Sequence, residues 1–438
     1  MNPTIYRAVE LSKDLPEAAY ALPDGFPFVV DDDSLEVDRL ALRYLDATFR
    51  KTRGTGIQVR RKRTSLHSVD AAAYDLVDFL RYLVKARDAE HRSVDSGMLS
   101  KSGTIQSALH EFTIDDVVKY RDELFARVSK QTHETLSDGT CTRRVNRALH
   151  YGDWLQRTGV IFDFGTLPDD DTILLPGNDQ DDVVRPLSEK EWHRIRDVLG
   201  PLPSQQKIEI DERQTRNRLA SELALATGLR VDEVAKLTIH QILDLRIDDT
   251  ASPHDEVRLR VTQTKRLVAR DVYVPMYLVK ELHLYIDGER RQATAEGAKF
   301  RLKDKQRQHV VLFVNGADAR QHSGKPINPD ILSNAFHTVC IRAGLTRSAE
   351  KIDPLTGEQY VTQLASHRFH DLRHTFAVWK YYSEKEAGNS EPWKLIQSLL
   401  GHKHLSTTMN TYLKVIPGER REVNRRTFQA IRRRFSGN

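Results

Sequence analysis

Apolar residues recur at helical spacing over most of the chain. Val37, Leu40, Leu42, Leu45 and Phe49 mark a helix within Ser34 to Lys51, and Tyr74, Val77, Leu80 and Val84 mark another from Ser68 to Lys85. Thr113 can cap a helix from Ile114 that carries Val117 and Val118. A further helix is expected to start near Thr142, with Val145, Ala148, Leu149 and Leu155 on its apolar face. Ser188 and Glu191 have the spacing of a capping box, with Leu187 placed to staple onto Trp192. The pattern from Arg218 to Ala226 predicts a helix that stops at Gly228. Val234 and Leu237 begin the next, so Arg230 falls in the turn between them. From Val257 to Val274 the period shortens to two, which predicts a hairpin with Lys265 at its tip. Asn328-Pro329 opens another helix, and the remainder to about 416 reads as helical.

The expected fold is therefore mainly α with a small antiparallel β-sheet. Its segments are a 1–56 N-terminal extension of no legible role, a helical domain over 57–166, a linker over 167–185, an α+β domain over 186–417 and a basic tail over 418–438. The linker is marked by Pro168, Asp169 to Asp171, Pro176, Gly177, Asn178, Asp179, Asp181 and Asp182.

At 438 residues, 39% hydrophobic and 29% charged, the chain has the composition of a soluble folded protein. No apolar run is long enough to span a bilayer, and Met1-Asn2-Pro3-Thr4 does not open like a secretory signal. Two distant cysteines, Cys141 and Cys340, suit a reducing cytoplasm. The net charge of +5 says little, but its distribution says more. Arg60-Arg61-Lys62-Arg63 is one basic block. Arg143, Arg144 and Arg147 form a second, in the first turns of the helix expected from Thr142. The third runs from Arg420 to Arg434. Such clusters suit phosphates, and Arg60, Arg61, Arg143, Arg144 and Arg147 are the candidate DNA-binding residues.

The sharper signal lies in scattered chemistry. Thr227-Gly228-Leu229-Arg230 with Glu233 is followed by Lys265, then His370-Asp371-Leu372-Arg373-His374, Leu400-Gly401-His402, and Tyr412 ten residues on. A phosphodiester under attack gathers charge on its non-bridging oxygens, and arginine's planar fork is suited to hold it. A tyrosine hydroxyl can be the nucleophile, although ionising a free phenol at neutral pH costs roughly 4 kcal/mol. His370 can take its proton, His402 can donate to the phosphate, Lys265 can protonate the leaving oxygen, and Glu233 can orient an arginine or the lysine. His370 and His374, at i and i+4, also have the spacing of a zinc pair, but no third ligand series accompanies them.

Taken together, the stretch from about Pro186 to Pro417 resembles the catalytic domain of the tyrosine recombinases, the phage-integrase family. The preceding helical segment resembles its core-binding domain. The resemblance implies Arg230 and Arg373 as the phosphate-binding pair, Lys265 as general acid, His370 and His402 in the two histidine positions, Glu233 as acidic helper and Tyr412 as nucleophile. It implies a site-specific recombinase or integrase that leaves a 3′-phosphotyrosine on DNA without ATP, metal or other cofactor. A homo-tetramer on synapsed double-stranded DNA, accessory proteins, a cytoplasmic, nucleoid-associated location and a mobile-element origin accompany that implication. The other readings are a type IB topoisomerase-like relaxase and a non-catalytic DNA-binding relative of the same fold.

Overall fold

A computed structural model of the chain describes residues 3–8, 22, 25–49, 52–53, 60–61, 66–93, 110–129, 131–165, 184–206, 213–262, 269–300, 309–353, 356–412 and 415. The fold is mainly helical with small two-stranded sheets. Two compact units emerge. One comprises Met1–Asp182 with Glu350–Tyr360, and the other Val183–Ala349 with Val361–Asn438. The expected linker and basic tail lie almost wholly outside the described residues, as do Lys265 and the side chains of Arg60 and Arg61.

In the first unit, β1 (Pro3–Arg7) pairs antiparallel with β2 (Pro27–Asp31), and β3 (Thr52–Arg53) with β4 (Arg60–Arg61). Its helices are α1 (Arg39–Phe49), α2 (Leu66–Ser93), α3 (Ile114–Ala126) and α4 (Asp138–Arg157). Phe26, Val29, Tyr44 and Leu45 share one core with Leu76, Phe79, Leu80, Val117, Tyr120, Val145 and Tyr151. Residue 56 is thus no boundary of packing, because the amphipathic face of α1 is buried against the helices that follow it. The start expected at Thr142 is also corrected. α4 begins at Asp138, where the Ser137 hydroxyl accepts from the Thr140 amide. Arg143, Arg144 and Arg147 therefore stand beyond the first turn, away from the amides that would draw an anion.

The second unit opens with α5 (Glu189–Leu199), whose capping box forms between Ser188 and Glu191 as expected. Next come α6 (Thr215–Thr227), α7 (Val231–Lys236) and α8 (Ile239–Leu243). β5 (Glu256–Val261) and β6 (Arg270–Pro275) form the antiparallel hairpin, with Val261 opposite Arg270. α9 (Met276–Tyr285) passes through a π turn into α10 (Arg291–Phe300), and α11 (Pro329–Arg342) starts at the Asn328 cap. The helical reading of the next stretch is overturned. β7 (Thr346–Ile352) and β8 (Gln359–Ala365) pair there, both largely exposed, although Glu350–Tyr360 counts with the first unit. Their polar surfaces carry too little apolar alternation to be read as strands. α12 (Phe369–Glu386), α13 (Pro392–Leu400) and α14 (Leu405–Tyr412) complete the unit.

α6 is buried around nearly its whole circumference, packed by α9, α11, α12 and β6. A helix buried on all sides sits at the centre of its unit. Its end therefore opens into the interior, and the turn there is tight. Gly228 has φ +68°, and a Cβ would lie 2.5 Å from a Phe376 ring carbon and 2.9 Å from a Leu400 methyl. Gly228→Ala combines left-handed strain with overpacking and is expected to cost about 2–4 kcal/mol. A thermal-unfolding midpoint that does not fall would contradict this packing.

Candidate active site

Two helix ends meet at Arg373. The last carbonyls of a helix have no partner within it, and cations are favoured there. Arg373 projects from α12 and donates from Nη1 to the Gly228 carbonyl (2.6 Å), which follows α6, and from Nη2 to the Leu400 carbonyl (2.7 Å), which ends α13. The same Nη2 lies 3.2 Å from His402 Nε2. Arginine can only donate, so Nε2 accepts and the His402 proton belongs on Nδ1, where the Thr408 hydroxyl lies 2.9 Å away. His402, expected to donate to phosphate, is here engaged with Arg373 and Thr408. Arg373 is 2% exposed. Burial, then the Arg230 charge, push its guanidinium down to about 9, which leaves it charged at neutral pH.

Arg230 caps α7, and its backbone amide donates to Glu233 Oε2 (2.9 Å) while Nη1 donates to Oε1 (3.1 Å). A third arginine takes the same carboxylate. Arg270 donates from Nη1 to Oε1 (2.7 Å) and from Nη2 to Oε2 (2.6 Å), and from Nε to the Leu399 carbonyl (2.8 Å). Burial raises the Glu233 carboxyl pKa, but the Arg270 bonds and charge outweigh it and hold the group below its usual value.

Tyr412 ends α14 with 1% exposure, packed against Ala377, Val378, Ile396 and Leu400. Its hydroxyl lies 3.2 Å from His374 Nδ1. Burial lifts the phenol to about 12, against the pull of Arg373 and then Arg230, so it stays protonated at neutral pH. His374 is itself pushed down to about 3, by burial first and then by the charge of His370. The neighbour of the hydroxyl is thus His374 rather than His370, the residue expected to take its proton. His370 is exposed, with its ring 4.7 Å from that of His374. With so little exposure, the hydroxyl is shielded from solvent in this structure.

These residues belong to one pocket of one unit: Arg230, Glu233, Arg270, Arg373, His374, His402 and Tyr412. Residues 205–418 match the family model described as the phage integrase family. This part of the chain belongs to the phage integrase family. No match is found among curated proteins. Among solved structures, the chain is similar to the XerH site-specific recombinase bound to palindromic difH substrate, at 15% identity and TM-score 0.48 over 82% of this chain and 80% of that one. It is also similar to the Tn1549 transposon integrase in complex with transposon right end DNA, at 14% identity and TM-score 0.46 over 84% and 93%. A lambda integrase dimer bound to a core site is similar at 16% identity and TM-score 0.37, over 91% and 95%.

The integrase pocket holds two residues that sequence reasoning missed. His374 was weighed there only as half of a zinc pair, and among the described residues no group of His, Cys, Asp and Glu is arranged to hold a metal. Arg270 was passed over, although a signal existed. It shares the inward face of β6 with Val272 and Val274, and a charge on a core face needs a partner. The arginines of α4 are placed differently from the pocket. Arg143 bonds Asp75 (2.8 Å), Arg144 bonds Asp78 (3.0 Å), and Arg147 donates to the Tyr44 hydroxyl (3.2 Å) and lies over the Phe49 ring. Arg143 keeps about half its side chain exposed (49%). A cavity of about 760 Å³ lined by Trp192, Arg218, Glu222, His254, Tyr277 and Trp379 contains none of the pocket residues.

Proposed function

We propose that this chain is a site-specific DNA recombinase or integrase that cleaves and rejoins double-stranded DNA through a 3′-phosphotyrosyl intermediate formed on Tyr412. One observation carries the reading. Arg230, Arg270 and Arg373 share a largely buried cluster in which Glu233 bonds Arg230 and Arg270 but not Arg373, and the charges of Arg373 and Arg230 act on a tyrosine hydroxyl. Cations taken out of water without full compensation are costly, and an entering anion relieves that cost. A phosphodiester supplies the anion, which meets the guanidinium of Arg230, a quarter of whose side chain is exposed, with the buried charge of Arg373 close behind it.

In the reaction, the Tyr412 oxygen forms a bond to phosphorus and the bond from phosphorus to the 5′ oxygen breaks. The phenol proton passes to a base, either His374, whose Nδ1 lies 3.2 Å from the hydroxyl, or His370, whose ring packs on that of His374, and the 5′ oxygen takes a proton from Lys265. The arginines hold the added charge of the transition state. A 5′ hydroxyl from a second strand reverses the steps to complete exchange, so the phosphotyrosyl bond conserves the energy and no nucleotide cofactor is called for. Two duplexes need four such sites, which gives a homo-tetramer on synapsed DNA. A mobile-element origin, a nucleoid-associated location in the cytoplasm and help from accessory proteins complete the proposal. In it, Arg60, Arg61 and Arg143 contact the DNA backbone.

The test is covalent capture. The protein is incubated with a library of nicked duplexes of randomised sequence, and SDS-resistant adducts are recovered and sequenced. Capture of a preferred sequence by wild type, resolved by transfer to a second duplex, is the expected result. Failure of wild type to capture any duplex would overturn the reading, and adducts that reseal only on their own strand would mark a relaxase. Because arginines supply the charge a metal would otherwise supply, excess EDTA is expected to leave adduct formation unchanged. A loss that added divalent metal restores would reassign the site.

A further inference from the structure

Arg270 is the one pocket arginine that is both buried and bound to a carboxylate through both terminal nitrogens. It is 8% exposed, and each oxygen of Glu233 accepts one of its bonds. Arg230 competes for the same oxygens with one guanidinium nitrogen, at a longer distance, and keeps a quarter of its side chain (25%) exposed. The charges count simply. Glu233 with Arg230 alone is neutral, and adding Arg270 restores one positive charge. Arg270 also reaches the turn that carries His402. It binds the Leu399 carbonyl, and a Cβ on Gly401 would lie 3.0 Å from its Cδ. Finally, Arg270 begins β6, opposite Val261 at the loop end of the ladder.

Resting on the strand-cleavage reading above, we propose that Arg270 is a positioning residue for that reaction. It occupies and neutralises Glu233, so that the carboxylate orients Arg230 through its backbone amide without cancelling the charge that Arg230 offers to phosphate. Without Arg270, Glu233 would close on Arg230 as a private ion pair, and an incoming phosphate would have to break it. Arg270 does not touch the reacting atoms. It acts through Glu233 on Arg230, and through the Leu399 carbonyl on the placement of His402.

This role differs from that of a stabilising ion pair in its response to a second change. Arg270→Met is expected to slow adduct formation about 100-fold on the captured duplex, with DNA affinity within about threefold of wild type. In Glu233→Gln/Arg270→Met the amide oxygen can still accept from the Arg230 amide, but no carboxylate remains to cancel Arg230. The double variant should therefore be at least about tenfold faster than Arg270→Met. A role in packing alone predicts the double variant to be no faster. If Arg270→Met does not fold, Arg270→Lys takes its place. Lysine keeps the charge but not the fork, so about a tenfold loss is expected at nearly unchanged stability. Wild-type rates in Arg270→Met or Arg270→Lys, or no recovery in the double variant, would overturn the proposal. Absence of any adduct with wild type would instead sink the strand-cleavage reading, and this one with it.

Discussion

Tyr412→Phe is expected to abolish the covalent DNA adduct, lowering its rate of formation by more than about 10⁴-fold, because no other group can take over the bond to phosphorus. The fold should survive. The ring keeps its packing against Ala377, Val378, Ile396 and Leu400, and the bond lost is the one to His374. Such a bond contributes about 1 kcal/mol, whereas truncation to alanine would cost about 3–5 kcal/mol by leaving a cavity. The phenol also predicts a pH response. With its pKa pushed up to about 12, ionisation at pH 7 costs roughly 7 kcal/mol at about 1.36 kcal/mol per unit. The phenolate is the nucleophile, so the rate of adduct formation should rise with pH, about tenfold per unit between about pH 6 and 8, where the phenol is still protonated. A flat profile in that range would show that ionisation of this buried phenol does not limit the rate.

The second large effect is a division between activity and stability at Arg373. Arg373→Met should lower adduct formation by about 10³-fold or more, since the buried charge proposed to stabilise the phosphate is gone. Its effect on folding is set by two opposing terms. Holding the guanidinium down at about 9 penalises the folded state by roughly 5 kcal/mol. The sign follows from the lowered pKa of a base. The penalty is fully felt below pH 9 and is relieved as pH rises beyond it. Against this, methionine leaves the Gly228 and Leu400 carbonyls without their donor, at about 1–3 kcal/mol each. The terms nearly cancel. Arg373→Met is therefore expected to unfold within a few degrees of wild type while losing its reaction. A collapse of the unfolding midpoint would mean that Arg373 serves mainly to tie helix ends together.

Much of the second unit was legible because its signals are local. A serine three residues before a glutamate, a glycine after an apolar helix and an asparagine before a proline each act through the adjacent backbone. Hence the starts at Ser188 and Asn328 and the stop at Gly228 stand where the sequence puts them. The hairpin 256–275 was legible through its alternation. The strands β7 and β8 were not, since β7 is mostly polar, β8 exposes its Tyr360 and Val361, and no period of two separates inside from outside. The start of α4 was misplaced because Ser137 offered a better cap than Thr142, and the shift took three arginines out of the helix N-terminus.

Residue identity along the chain determined which chemistry was on offer: arginines for a phosphate, a late tyrosine for a nucleophile, and glycines where helices must stop. Those choices are written one residue at a time, and spacing alone carries them. Partnership was decided only in three dimensions. That Arg270 shares Glu233 with Arg230, that His374 rather than His370 meets the Tyr412 hydroxyl, and that His402 turns its Nε2 to Arg373 depend on segments 37, 38 and 29 positions apart, each on a different element. Burial removed water from those contacts, and in its absence each polar group had to find the nearest partner the packed helices brought to it.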